Sequence, residues 1–342
     1  MDDFSGAGHL TRHLRLRRSL LMTPGNRAER LERAISLPAD VLIFDLEDSI
    51  PPPGKPAART SVVSALNSLD FHGKERCVRI NGLLTEWMVG DLSALPWQHV
   101  DSIMVPKVER AEDLVKLDFL LDNLEVDRDR ERPVELIVTL ETARGILNAL
   151  PIADASRRTS AMFFGSGDYA ASTNSLVTDA TQQFPRSNLV AAASAAGLQA
   201  IDAAFFADVK DADAARHDAV VAREYGFSGK VVFHPNQLAP INAIFSPTDE
   251  QVHRAREMLA AYREGLERGH GTSVTSDGKF VAVDFVIIAE RTLKIAELIA
   301  QREADVLAAQ RHHSRKELTT EQGDPSRSGH ATEDLTTKAR NR

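Results

Sequence analysis

Eight short runs rich in β-branched and other apolar residues punctuate the chain between Ser19 and Pro235: SLLMTP, DVLIFDLE, CVRIN, SIMVPK, VELIVTLE, AMFFG, QAIDAAF and KVVFHP. Between them lie stretches such as NRAERLERAISL, KPAARTSVVSALNSL, RAEDLVKLDFLLDNL and DADAARHDAVVAREYG, whose apolar residues recur at three- and four-residue spacing. Strand-helix alternation predicts a parallel sheet. Eight units favour a closed (β/α)8 TIM barrel over an open doubly wound sheet, which usually has fewer strands and carries a glycine fingerprint after its first. The GSGD at Gly165–Asp168 is not that fingerprint.

The barrel is expected over residues 18–245, and a C-terminal helical extension over 246–305. SPTDEQVHRAREMLAAYREGLERG carries a helix start at Ser246 and Pro247 and a stop at Gly269. GHGTSVTSDGKFVAVDFVIIAERTLKIAELIAQ then predicts a hairpin or turn and a final helix, with Asp284 near that helix's beginning. Polar, aperiodic composition predicts a disordered tail over 306–342. The basic opening HLTRHLRLRR lacks an apolar signal core, and residues 1–17 are expected to be a flexible leader.

Composition narrows the function class. A formal net charge of -8 with both signs interspersed offers no basic face for nucleic acid or anionic lipid. No apolar stretch is long enough to span a bilayer. Cys77 is the single cysteine, so no intrachain disulfide forms; it reads as a buried strand start, and a cytoplasmic setting is expected.

In a barrel of this type chemistry gathers where strands end, and here those ends are charged. The second run closes on Asp45, Glu47 and Asp48, the third on Arg79 and Asn81, the fourth on Lys107, the fifth on Glu141; Asp168 follows the sixth and His234 ends the eighth. Glu141 or Asp168 alone reads equally well as a helix cap. Together at one mouth they repel unless a cation joins them, and without a His or Cys cluster the fitting cation is oxygen-ligated Mg2+ rather than Zn2+. Glu47 and Asp48 could then accept hydrogen bonds from waters on the ion, or DLED could cap the next helix. Arg79 could grip a substrate carboxylate with two hydrogen bonds, or pair internally with one of these acids. Lys107 and His234 favour structural roles, and Lys55 and Arg59 are ambiguous.

RSLLMTPGN, ADVLIFDLEDSIPPPGKPAAR, RINGLLTEWMVGDL, MVPKVERAEDL, LETARGILNA, FFGSGDYAAS and GKFVAVDFVIIAERTL, in that order, resemble the HpcH/HpaI aldolase and citrate lyase family, in its citrate lyase beta subunit-like branch. The resemblance runs from about Arg18 to Ala296. It implies a (β/α)8 barrel and a Mg2+-dependent lyase acting on acyl-CoA hydroxyacids of the citryl-, malyl- or citramalyl-CoA type, giving an acyl-CoA and a 2-keto acid by a retro-Claisen reaction. It further implies Glu141 and Asp168 as metal ligands, Arg79 as holder of the keto-acid carboxylate, Glu47 facing water on the metal, and Asp284 as the catalytic residue. In related malyl-CoA lyases that aspartate crosses a subunit boundary, which implies a homotrimer or trimer-built assembly with shared sites. Two departures stand out: Asn174 replaces a glycine after the metal aspartate's small-residue run, and Phe285, Val286 and Ile287 stand where relatives have Pro and His. A thioesterase using the same metal and base, a citrate lyase subunit acting on a carrier-protein thioester within a complex, and a barrel without catalysis are the competing readings.

Overall fold

Each of the eight runs is a strand in the computed structural model, which describes residues 14–321 apart from 125 and 129. They are β1 (Ser19–Pro24), β2 (Val41–Asp45), β3 (Glu75–Arg79), β4 (Ser102–Val105), β5 (Glu135–Leu140), β6 (Thr159–Phe164), β7 (Gln199–Asp202) and β8 (Gly229–Val232). They pair in sequence order and β1 closes on β8 in parallel, so the expected (β/α)8 TIM barrel is the fold. The four amphipathic stretches are helices over Ala28–Ile35, Lys55–Ser68, Ala111–Asn123 and Ala212–Tyr225. Their apolar stripes cover the barrel's outer face, as Leu114, Leu117 and Leu121 do on one of them.

The barrel interior is stratified. Its middle is apolar, built from Leu20, Ile43, Cys77, Met104, Ile137, Ala161, Ile201 and Val231. Strand alternation puts Glu75 and Glu135 two residues below Cys77 and Ile137, and Asp45 and Arg79 two residues above Ile43 and Cys77. Two polar layers therefore sandwich a dry one. Burial pushes the Cys77 thiol up to about 12, in keeping with a packed strand residue and not a nucleophile.

The lower polar layer corrects one expectation. Arg15 and Arg17, assigned above to a flexible leader, belong to the barrel floor. Arg17 is 1% exposed and binds both Glu75 oxygens at 2.8 Å, Glu135 at 2.7 Å and Ser160 Oγ at 2.9 Å; Arg15 binds Glu135 at 2.8 Å. Residues 1–13 of that leader lie outside the described residues.

The extension begins with a helix over Asp249–Glu267 whose cap is Thr248, two residues past the Ser246 start read from sequence, in a reciprocal box with Gln251. A two-stranded hairpin follows, β9 (Ser273–Val274) and β10 (Phe280–Val281), then a helix over Val283–Glu321. That helix carries the chain regularly through residues 306–321, where disorder was expected; the tail beyond lies outside the described residues. It runs across the amino-terminal floor of the barrel. Ile288, Thr292 and Ile295 line a groove with Phe227 and Ser228, just before β8, while Leu298 and Arg302 line a cavity with Phe71 and Lys74, just before β3. Among the described residues no helix is long and apolar enough to cross a membrane.

Candidate active site

The acid run after β2 meets its cation in Arg79. Parallel pairing sets Asp45 beside Arg79, and the guanidinium donates from Nε at 2.6 Å and Nη2 at 2.7 Å to the two Asp45 oxygens. Those oxygens also accept from the Glu47 and Ser49 N–H groups at 2.9 and 3.2 Å. Burial alone would raise the Asp45 carboxyl; the hydrogen bonds and charge of Arg79 outweigh it and hold the group below its usual range. The internal ion pair left open above is therefore realised, and the same pairing aims the remaining Nη1 at Glu47 Oε2, 3.1 Å away.

DLED does not cap the next helix. Lys55 anchors the loop instead, donating to the Leu46 and Glu47 carbonyls at 3.0 and 2.9 Å and to Asn81 Oδ1. Asn81 is held by Asp91, which Arg59 binds at 2.9 Å. Lys55 and Arg59 thus brace the loop that presents Glu47.

Lys107 carries more than its sequence position suggested. Its backbone lies in the left-handed region, φ 54°, rare for a side chain-bearing residue. That turn points its N–H at Glu141 Oε1, 2.8 Å away, while its ammonium reaches Glu47 Oε1 at 2.6 Å and Asp48 Oδ2 at 3.1 Å. Glu47, Asp48 and Glu141 are joined by one residue. His234 keeps a structural part, its Nδ1 accepting from the Asn236 N–H.

Glu141 is 2% exposed and not a cap: Thr142 Oγ1 caps the helix Ala143–Leu147, accepting from the Gly145 N–H at 3.0 Å. Burial first, then the Asp168 carboxylate, then Glu47, push the Glu141 carboxyl up to about 8 against Lys107 and Arg79. Asp168 stands in the first turn of the helix Ser166–Thr173 and is exposed at the mouth. The two acids therefore share one electrostatic environment. Glu47 is raised too, by burial that Arg79 and Lys107 only partly offset, and its Oε2 has no hydrogen-bond partner despite the nearby Arg79.

Such a donor set suits a hard cation: oxygen ligands only, mutual repulsion, and a buried acceptor left over. No group of three His, Cys, Asp or Glu among the described residues forms a closed cage. An ion held by two carboxylates would keep water in its other positions, as magnesium commonly does.

Gly165 makes room for this arrangement. A Cβ there would lie 2.5 Å from both Cβ and Oε2 of Glu141. Because Glu141 Cβ is fixed to the backbone, Gly165→Ala is expected to displace the carboxylate, cost about 1–3 kcal/mol of stability and depress turnover. Urea melts alongside steady-state rates would check both parts. Asn174 adopts the left-handed conformation, φ 53°, that a glycine would take, so this departure preserves the turn after the helix.

Asp284 is not brought to this mouth. It is exposed in the first turn of the helix that crosses the opposite end of the barrel, one turn before Ile288. Sequence reasoning left open which acid would pair with Arg79 and undervalued Lys107; only the strand register, which selects Asp45, and one backbone torsion disclose their roles.

Residues 18–235 match the HpcH/HpaI aldolase/citrate lyase family. Similar curated proteins include a (3S)-malyl-CoA thioesterase of Cereibacter sphaeroides, 37% identical over 285 residues covering 83% of this chain and 95% of that protein. Another is an L-malyl-CoA/beta-methylmalyl-CoA lyase of Rhodobacter capsulatus, 34% identical over 306 residues, covering 83% and 96%. Among solved structures, the CitE protein of Mycobacterium tuberculosis in complex with magnesium, acetoacetate and coenzyme A superposes with a TM-score of 0.64 at 30% identity, covering 82% of this chain and 97% of that one. By sequence and by fold, this chain belongs to the HpcH/HpaI aldolase/citrate lyase family.

Proposed function

We propose that the protein is a magnesium-dependent carbon-carbon lyase that cleaves, or forms, a 3-hydroxyacyl-CoA of the malyl-, citramalyl- or citryl-CoA type, yielding an acyl-CoA and a 2-keto acid. The observation that carries this reading is the buried Glu141 carboxyl, raised by a second acid, Asp168, at the same barrel mouth. Glu141 and Asp168 would hold the ion, and Glu47 Oε2, which has no hydrogen bond of its own, would face water on it. Magnesium, when bound, supplies Lewis acidity to the hydroxyl and carboxylate oxygens of the substrate.

The chain's own residues do the rest. Arg79, fixed through two of its nitrogens by Asp45, presents the Nη1 end to the substrate carboxylate and neutralises it. Lys107 offsets the charge of Glu47 and Asp48 at the rim. As the hydroxyl gives up its proton to water at the mouth and its oxygen forms the keto carbonyl, the bond to the carbon next to the thioester breaks, its electron pair passes to that carbon, and protonated Asp284 delivers a proton there. In condensation the Asp284 carboxylate removes it and the alkoxide regains a proton from water.

Asp284 comes from a second copy of the chain. It lies away from its own mouth, and Val274, Phe280, Val283 and Ile288 around it are each more than half exposed, an apolar patch suited to cover by a neighbouring protomer in a trimer-based assembly. A cytoplasmic setting accords with the buried thiol of Cys77.

A second reading is favoured by the thioesterase relatives: water, rather than carbon, is the partner of the thioester. Incubating purified protein and Mg2+ with malyl-, citramalyl- and citryl-CoA, with products followed by mass spectrometry, separates the two. Acyl-CoA plus keto acid supports the lyase; free CoA with intact hydroxyacid supports hydrolysis; no turnover of any substrate by folded protein refutes both. The shared site has its own check. Asp284→Ala and Glu141→Gln, each inactive alone, are expected to regain part of the wild-type rate when mixed and allowed to exchange protomers; no recovery despite exchange would place Asp284 elsewhere in the mechanism.

A further inference from the structure

We propose that the floor of the barrel, at the end opposite the mouth, holds a binding site for a phosphate group. A cavity of about 610 Å³ lies there between the last helix and the loop entering β3. Among its lining residues two cations make no ion pair or hydrogen bond with an anion. Lys74 is 9% exposed, and among the described residues its ammonium has neither ion pair nor hydrogen bond. Arg302, on the last helix, has its Nη1 buried with no partner, 4.0 Å from where a Cβ on Gly73 would lie.

The two cations destabilise each other: burial and then Arg302 hold the Lys74 ammonium below its usual range. Three nearby carboxylates are engaged by other guanidinium groups, Asp40 by Arg18 at 2.8 Å, Glu75 by Arg17 at 2.8 Å and Asp101 by Arg76 at 2.9 Å, while Asp305 accepts from the Gln301 amide at 2.8 Å and offsets Arg302 only at a distance. A buried guanidinium nitrogen without an acceptor is costly, and a second cation facing the same cavity adds to that cost. A phosphate dianion answers both, because its oxygens can accept from an ammonium and a guanidinium at once. Leu14, Leu16, Phe71 and Leu298 line the remaining space and suit an organic group carried on the phosphate.

The site is independent of the chemistry assigned to the mouth. Its test is thermal melting of the full-length protein with rising inorganic phosphate, and separately phenyl phosphate, against sodium chloride of equal ionic strength. A saturable rise in Tm of roughly 5 °C is expected at ligand well above Kd. Lys74→Met and Arg302→Met, which keep the side-chain stems, are each expected to lose that rise. Lys74→Met should also melt a few degrees higher than wild type in chloride, since the cation that Arg302 repels has gone. Tighter binding of phenyl phosphate would assign an organic phosphate, and equal affinity free phosphate. No saturable rise in the wild type, or one that both variants retain, overturns the proposal.

Discussion

Glu141→Gln is expected to lower kcat/KM by about a thousandfold while making the metal-free protein more stable at alkaline pH. The rate loss follows from the proposed role: a bound divalent ion contributes several kcal/mol of transition-state stabilisation, and each 1.36 kcal/mol is a factor of ten. The gain in stability follows from electrostatics. In the fold, the Glu141 carboxyl is raised from 4.5 to about 8 by burial, Asp168 and Glu47, so the folded chain holds this proton more tightly than the unfolded one. Stability of the metal-free protein therefore falls as pH climbs from about 4.5 to about 8, by an amount on the order of 5 kcal/mol, and no further loss from this group accrues above that window. Glutamine cannot ionise and escapes the penalty. Melts in EDTA at pH 5 and pH 9 should show variant and wild type close together at the first and the variant higher at the second. A variant that is less stable at pH 9 would contradict the repulsion inferred at the mouth.

Arg17→Met should cost about 3–5 kcal/mol at pH 7.5, the characteristic loss when one partner of a buried ion pair is removed and the other left behind. Here Glu75, at 5% exposure, is left without a cation, and Glu135, at 6%, keeps only Arg15. In the wild type, burial tends to raise Glu135, but Arg17 and Arg15 prevail and hold it below the usual range. Its stabilising contribution is thus present above the ordinary glutamate range and lost as pH falls through the depressed folded value. In Arg17→Met the two acids can be relieved by protonation, so its deficit should shrink towards pH 5. Adding Glu75→Gln and Glu135→Gln should recover much of the loss. Equilibrium urea denaturation of the set measures it, and a single substitution costing under 1 kcal/mol would remove the floor layer from any account of stability.

Much of the barrel was legible because its signal is local. Each β-branched run needed only its own composition and its spacing from the next, and all eight became strands. Glu141 and Asp168 were also legible as a pair, because adjoining strands must deliver their ends to one mouth. What escaped reading depends on contacts distant in sequence. Nothing in HLTRHLRLRR announces that Arg17 will meet residues 75 and 135, so a charged, aperiodic stretch passed for a leader. Asp45 and Arg79 are joined by strand register, and Lys107 reaches three acids only through a left-handed torsion. The location of Asp284 depends on the last helix turning beneath the barrel, a direction that periodicity does not encode. Residues 306–321 failed in the other sense: polar composition suggested disorder where the helix continues.

The floor layer also has a bearing on how the molecule is made. Arg17 leaves the ribosome early, but Glu75, Glu135, Ser160 and Gln199, which surround it, emerge over the following 180 or so residues of synthesis. Gly229 arrives later still, and its backbone fits so tightly against Arg17 and Arg18 that an added Cβ would overlap their carbonyl region. The first described segment of the chain must therefore remain wet until β8 has been translated, and closure of the ring and burial of that guanidinium become a single late event.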